Sequence, residues 1–141
     1  MKPYAVFLLG AVVFMAGCGW REIPVNQRQQ SVSPGGQYVV EVPIEKLEDG
    51  HRYWIPVIKG VDSEEIIYKD SQKEFIANVH IYWMWDVEDR LWMYSTDTGR
   101  VYVVIPKDDS WEKIFWGYAK DRRRYKEPIN PPDGLFPELN T

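Results

Sequence analysis

The sequence contains a single cysteine and only two histidines among its 141 residues. One cysteine excludes a disulfide within the chain and a zinc site built from several thiolates. Basic residues do not dominate either, because 17 Lys and Arg stand against 21 Asp and Glu, for a net charge of −4. Nucleic-acid-binding proteins usually show a strong basic excess, so we expect no nucleic-acid partner. The length accommodates one domain.

The sequence also lacks an apolar run of the ~20 residues that a membrane-spanning helix requires. Its longest run extends from Tyr4 to Met15, follows Lys2, and leads into small residues and the cysteine. A positively charged start, roughly 7–15 apolar residues and then small residues are the layout of a secretory signal peptide. The N-terminus therefore predicts export.

Met15-Ala16-Gly17-Cys18 resembles the lipobox of bacterial lipoproteins. The resemblance implies lipidation of the Cys18 thiol, cleavage after Gly17 and acylation of the new amino terminus, and we expect no other cofactor. Gly19 stands where an aspartate often signals inner-membrane retention. In a bacterium with two membranes, the resemblance therefore implies an outer-membrane lipoprotein that faces the periplasm. Two or three acyl chains anchor a protein stably, whereas one does not.

The rest of the chain divides by composition. We predict a signal peptide over 1–17, a polar lipidated tether over 18–33, a β domain over 34–118 and a C-terminal tail over 119–141. The tail opens with the basic run Lys120–Lys126, which is either solvated or in contact with anionic lipid headgroups. Four prolines then break regular structure. We expect an extended tail along the domain, held there by Leu135 and Phe136.

Strand signals recur at short spacing through the central region. The predicted strands are Gln37–Val42, Arg52–Ile58, Glu65–Lys69, Val79–Trp85, Arg90–Ser95, Arg100–Ile105 and Trp111–Trp116. This spacing predicts an all-β fold, a small antiparallel meander of about seven strands that forms a blade-like sheet, a sandwich or an open barrel. Pro56 indicates an edge strand or a bulge. Ile44–Leu47 and Ser71–Ala77 carry at most a helical turn.

The strands between residues 79 and 105 are apolar on both faces. In Val79–Trp85, for example, Ile81 and Trp83 lie on one face while Tyr82 and Met84 lie on the other. A sheet with one solvated face alternates apolar and polar residues. We therefore expect the meander to be covered on both sides, or to use one face for binding.

Two segments resemble the blades of β-propeller proteins. Ser33-Pro34-Gly35-Gly36-Gln37-Tyr38-Val39 is similar to the turn that opens a blade strand, and residues 86–102 are similar to the middle of a blade. A propeller needs about four or more blades of ~40 residues, for which the chain is too short. The resemblance implies only the local shape of a four-stranded meander.

The sequence contains no nucleophile motif, no metal-ligand spacing and no phosphate-binding glycine loop, so we expect a protein that is not an enzyme and binds no metal. The dense aromatic residues are the remaining functional signal. Most should lie in the core, while a few face outwards as a platform for sugar rings or a protein partner. Trp92 and Tyr94, which share a face, are the best candidates, followed by Trp83 and Trp111.

The sequence thus favours a membrane-anchored envelope lipoprotein with a non-catalytic β interaction domain. Three alternatives remain open: a periplasmic immunity or inhibitor protein, a glycan-binding lipoprotein, and an enzyme built from carboxylates that converge in space. The envelope partner and the oligomeric state are not specified by the sequence.

Overall fold

The computed structural model describes residues 31–71, 73–125 and 127–139, and builds them mainly from antiparallel strands. In chain order these strands are β1 (Ser31–Val32), β2 (Tyr38–Glu41), β3 (Ile44–Lys46), β4 (Arg52–Trp54), β5 (Val57–Gly60), β6 (Ile66–Lys69), β7 (Ile81–Trp85), β8 (Leu91–Ser95), β9 (Arg100–Lys107) and β10 (Ser110–Tyr118). Short 3₁₀ helices span Ala119–Asp121, Asp133–Leu135 and Pro137–Leu139. The predicted all-β class is confirmed.

The strands form two four-stranded sheets and a small ribbon. The N-terminal sheet has the order β1-β2-β5-β6, and the C-terminal sheet is the simple meander β10-β9-β8-β7. Strands β3 and β4 pair separately as a two-stranded ribbon. The two large sheets contribute to one shared core, in which Val40 and Ile58 of the first lie with Trp83 and Met93 of the second.

The two-sided apolarity of the meander is confirmed as burial on both faces. Ile81, Trp83, Trp85, Leu91, Met93, Tyr102 and Val104 belong to the core shared with the N-terminal sheet. Trp92, Tyr94, Val101 and Val103 belong to a second core, together with Leu135 and Phe136 from the C-terminal end of the chain. The alternation of the strands therefore predicts both the faces and the need for a cover on each.

The predicted strand over Arg52–Ile58 is divided in the structure. Strand β4 ends at Trp54 and pairs with β3, whereas β5 begins at Val57 and joins the N-terminal sheet. Pro56 lies at the break, as expected for a residue that has no N–H to donate to a ladder. Its carbonyl instead accepts a hydrogen bond of 2.9 Å from the backbone N–H of Asp70.

Two short segments differ from their predictions. Ile44–Lys46 is a strand, although its apolar spacing also suits a helical turn, because pairing with Arg52–Trp54 determines its conformation. Ser31 and Val32, predicted as tether, pair with Val40 and Val39 as the edge strand β1. The stretch Ser71–Ala77 contains no helical turn among its described residues, and Ile76 forms an isolated bridge with Tyr53.

A buried carboxylate organises the β7–β8 turn. Asp86 accepts hydrogen bonds from Trp92 Nε1 at 2.9 Å, from Arg90 Nε at 2.6 Å and from the backbone N–H of Glu88 at 2.9 Å. Burial raises the pKa of Asp86, but the bonds from Trp92 and Arg90 lower it by more, so the pKa lies below its usual value. The ionised carboxylate thus fixes the turn that starts β8.

The same turn is connected to the β1–β2 turn. Asp89 accepts a hydrogen bond of 2.8 Å from the backbone N–H of Gly35 through Oδ1. A Cβ atom on residue 35 would lie 2.2 Å from Asp89 Oδ2. This close approach favours a glycine at position 35.

A buried ammonium group links the two large sheets near their β6 and β10 edges. The Lys113 side chain is 9 % exposed, and its Nζ lies 3.0 Å from Oδ2 of Asp70 and also contacts the Glu74 carboxylate. The same ammonium lies over the Tyr102 ring at 4.7 Å and the Phe75 ring at 5.2 Å. Charge pairing and cation–π attraction therefore hold this edge of the core together.

Removing that ammonium should destabilise the fold strongly. In Lys113→Met the Asp70 and Glu74 carboxylates stay buried without their cation, which should reduce the free energy of unfolding by ~3–5 kcal/mol. Lys107→Met is the matched control on the adjacent hairpin strand, because Lys107 is 61 % exposed and its pair with Glu112 should contribute at most ~1 kcal/mol. Urea unfolding of both variants measures the difference, and equal losses would contradict this account of the edge.

Candidate functional site

The four aromatic residues predicted as binding candidates do not form an exposed platform. Trp92, Tyr94 and Trp83 are 0 %, 4 % and 6 % exposed. Trp111 is half-buried and packs edge-to-face on Tyr38, with ring centroids 4.9 Å apart. The expectation that Trp92 and Tyr94 face outwards was wrong, because the face they share is covered by the C-terminal end of the chain.

We call residues 119–139 the C-terminal segment. Leu135 and Phe136 are 1 % and 2 % exposed and pack in the second core, which confirms their predicted role in holding the segment on the domain. Phe136 packs against the Tyr94 ring with centroids 5.2 Å apart. The Tyr94 hydroxyl donates to Glu138 Oε1 at 2.5 Å, and burial together with this bond raises the Tyr94 pKa. Tyr94 is therefore a contact for the segment.

Arg122 ties the two ends of the C-terminal segment together. It donates from Nη1 to the Ala119 carbonyl at 3.0 Å and from Nη2 to the Leu139 carbonyl at 3.2 Å. Its guanidinium also lies 5.5 Å from the centre of the Phe136 ring. Arg122, a residue of the predicted basic run, thus joins two parts of the segment, and its two hydrogen bonds fix the position of its guanidinium group.

Trp116 joins the segment to strand β10. Its indole Nε1 donates to the Ile129 carbonyl at 2.8 Å, and its ring meets Trp92 edge-to-face with centroids 6.0 Å apart. The Tyr125 ring packs on Trp116 with centroids 4.8 Å apart at 79°. A Cβ atom on residue 117 would lie 2.6 Å from the Tyr125 ring, so Gly117 permits this approach.

These contacts leave a pocket of about 550 Å³ between the sheet and the segment, which we call the C-terminal pocket. Trp116, Tyr125 and Phe136 supply aromatic surface, and Arg122, Arg123, Asn130 and Asp133 supply polar groups. The volume lies within the ~300–1,000 Å³ of small-molecule sites. The pocket thus combines aromatic rings with guanidinium groups, and Trp116 is its contribution from strand β10, whereas the other lining residues belong to the C-terminal segment.

The pocket has a net positive charge. Arg122 and Arg123 oppose the single carboxylate of Asp133. Arg124, the next residue, is 85 % exposed and lies 3.6 Å from Asp121, outside the pocket lining. Within the part of the chain that the structure describes, Arg123 forms no ion pair. Its guanidinium fork is therefore available to an anionic group.

The sequence indicated these pocket residues only in part. Lys120–Lys126 was predicted to be solvated or at a lipid surface, whereas Arg122 of this run is half-buried and bonded to two carbonyls. Trp116 was predicted as the end of a strand and as one of the dense aromatic residues, but not as a binding candidate. The sequence signal for the pocket was a tryptophan followed within ten residues by arginines and Tyr125. The pocket itself forms only because the C-terminal segment folds back over the sheet.

The C-terminal segment begins at the end of the meander opposite to the point where the described chain enters. The Ser31 carbonyl accepts a hydrogen bond of 3.0 Å from Nε1 of Trp85, the last residue of β7. The backbone N–H of Ala119 donates to the Gly99 carbonyl, in the β8–β9 turn, at 2.8 Å. Five residues of β7 separate these ends by roughly 15 Å.

Other predicted features contribute little to a site. His51 and His80 are both exposed, and no group of three or more His, Cys, Asp or Glu side chains in the described ranges is placed to hold a metal ion. None of the helices in those ranges is long and apolar enough to cross a membrane. Cys18, the predicted lipidation site, lies outside the described residues.

Comparison with known proteins adds no relative. The chain matches no protein-family model, no curated protein and no solved structure.

Removing the Phe136 ring should loosen the cover and expose the second core. Phe136→Ala should lower the free energy of unfolding by ~3–5 kcal/mol, because it leaves a cavity beside Tyr94. Val87→Ala is the control, since Val87 is 89 % exposed, and should change stability by no more than ~0.5 kcal/mol. Urea unfolding followed by tryptophan fluorescence measures both, and a loss below ~1 kcal/mol for Phe136→Ala would show that the segment does not seal the sheet.

Proposed function

We propose that this chain is an exported lipoprotein, held in a membrane by acyl chains on Cys18, whose β domain is a non-catalytic binding module. Its binding site is the C-terminal pocket. The N-terminal pattern Met15-Ala16-Gly17-Cys18 supports the anchor. The pocket supports the binding role, because guanidinium groups beside aromatic rings recognise anions that carry an apolar or cyclic body.

The observation that carries the binding role is the exposed guanidinium of Arg123, which forms no ion pair with the described residues and lines the same pocket as Trp116 and Tyr125. Trp116 is fixed by its bond to the Ile129 carbonyl, and the neighbouring Arg122 by its bonds to Ala119 and Leu139. A preorganised site loses little side-chain entropy when it binds its ligand. The rigid part of this surface is therefore suited to recognition.

The position of the pocket suits an anchored protein. The predicted tether leads into β1, a strand of the sheet that covers one face of the meander, whereas Trp116 and Phe136 of the pocket pack in the core on the other face. A flexible tether of this length reaches ~20 Å from its lipid. An anchored domain could then present the pocket away from the membrane, which favours a ligand in the periplasm over the lipid headgroups considered for the basic run.

A second surface favours the alternative of an immunity or inhibitor protein. Phe115 on β10 is 49 % exposed and lies against the rings of Tyr102 and Tyr118, with centroids 5.7 and 5.5 Å away. The Arg100 guanidinium lies 5.9 Å from the centre of the Phe115 ring. An exposed aromatic residue beside an arginine is consistent with a protein-binding hot spot, and Phe115 is the exposed one of these three rings. We call Arg100, Phe115 and Tyr118 the β10 patch.

One experiment in cells tests the anchor and the site together. The tagged full chain is expressed in a bacterium with two membranes, labelled with an alkyne fatty acid and crosslinked with formaldehyde before capture. We expect the wild-type chain to carry the label and to be captured with a crosslinked envelope component. Cys18→Ala should lose the label, because it removes the acylated thiol, while Gly19→Ala should keep it. Equal labelling of Cys18→Ala would exclude the anchor.

The crosslinked component then distinguishes the two surfaces. The double variant Arg123→Gln with Tyr125→Ala should keep the fatty-acid label and lose the crosslinked component. Phe115→Ser is the matched control on the β10 patch and should retain both. Loss of the component in Phe115→Ser alone would transfer the function to the β10 patch and contradict the pocket.

A further inference from the structure

The chemistry of the C-terminal pocket restricts its ligand, and the inference drawn from it depends on the proposed binding function. Five side chains carry the argument: Trp116, Arg123, Tyr125, Asn130 and Asp133. Each lines the pocket. Together they specify the charge of the ligand, the kind of surface it presents and the hydrogen bonds it makes.

The charge of the described lining residues favours an anionic ligand. Two guanidinium groups face one carboxylate, that of Asp133, so the lining carries an excess of one positive charge. Arg122 already donates from both Nη atoms to carbonyl groups, whereas Arg123 keeps its whole fork for a planar anion. A carboxylate matches that fork in a bidentate geometry.

The remaining lining favours a sugar ring over a purely apolar body. Trp116 and Tyr125 are half-buried and meet at 79°, so parts of both rings border the pocket. The C–H face of a pyranose packs well on aromatic carbon. Asn130 donates from Nδ2 to the Glu127 carbonyl at 2.8 Å, which orients its amide oxygen as an acceptor. A hydroxyl or acetamido N–H is the donor that such an oxygen requires.

We propose that the C-terminal pocket binds an acidic sugar, that is, a pyranose that carries one carboxylate. Arg123 binds the carboxylate, Trp116 and Tyr125 contact the ring, and Asn130 accepts a hydrogen bond from a ring substituent. This assignment gives the pocket a ligand class and explains why aromatic and charged groups share its lining.

The test uses three probes that separate carboxylate from ring. N-Acetylmuramic acid carries both, N-acetylglucosamine carries the ring without the carboxylate, and N-acetyl-D-alanine carries a carboxylate without the ring. Each is titrated by NMR into the full chain solubilised in detergent, with the indole resonances as readout. We expect N-acetylmuramic acid to bind at least about tenfold more tightly than either other probe, and to shift the Trp116 indole signal.

Variants connect the affinity to the pocket. Arg123→Gln should weaken binding of N-acetylmuramic acid by about tenfold or more, because it removes the charged fork. Arg124→Gln is the matched control, since its side chain is 85 % exposed and outside the lining, and should stay within about twofold. Tyr125→Phe should also stay close to wild type, whereas Tyr125→Ala should weaken binding.

Three results would overturn the acidic-sugar assignment. These are equal binding of the neutral sugar, equal binding of N-acetyl-D-alanine, or an Arg123→Gln variant that binds N-acetylmuramic acid like wild type. Absence of binding with a pocket-dependent crosslink in cells would reject the sugar and leave the binding module intact. Absence of binding together with no pocket-dependent crosslink would reject the binding module itself, whereas sugar binding without a crosslink would not, because formaldehyde does not capture a sugar that lacks an amine.

Discussion

The meander β7–β10 carries large apolar side chains on both faces, and the need to bury both faces determines how the rest of the chain is arranged. The N-terminal sheet covers the face that presents Trp83 and Met93. Among the described residues no second sheet covers the opposite face, and the C-terminal segment does so with Leu135 and Phe136. Each fully buried side chain of this size contributes ~1.5–3 kcal/mol, so a detached segment would leave a large unfavourable surface.

A cover made from an irregular segment has consequences that a second sheet would not have. Its backbone polar groups need partners, and side chains supply them: Trp116 donates to Ile129, and Arg122 donates to Ala119 and Leu139. The same side chains leave space between segment and sheet, and that space is the C-terminal pocket. The proposed binding surface is thus a product of how the second face is sealed.

A buried polar group also needs partners at the β6 and β10 edges, where the charge of Lys113 is compensated by Asp70 and Glu74.

The strands were predictable because a period of two, clear turn residues and β-branched or aromatic side chains coincide over residues 79–116. It was also predictable that both faces of the meander need a cover, but of the residues that form the second cover only Leu135 and Phe136 were indicated by the sequence. The orientation of Trp92 and Tyr94 was wrong because periodicity identifies a shared face without saying whether that face is solvated. Strand β3 was missed because its pairing with β4 outweighs a local pattern that also suits a helix. The pocket could not be predicted from the sequence, because the contacts of Arg122 with the Leu139 carbonyl and the Phe136 ring form only when the C-terminal segment folds back over the sheet.

Hydrogen exchange of the tryptophan indoles measures the central claim directly, namely that the C-terminal segment seals the second face of the meander. The indole N–H of Trp92 is bonded to Asp86 beneath the cover, and that of Trp116 is bonded to the segment itself at the Ile129 carbonyl. If the segment is a stable part of the fold, both signals should persist in deuterated water for far longer than an exposed indole. Exchange of both signals within the dead time of the measurement would show that the face is open and would contradict the account.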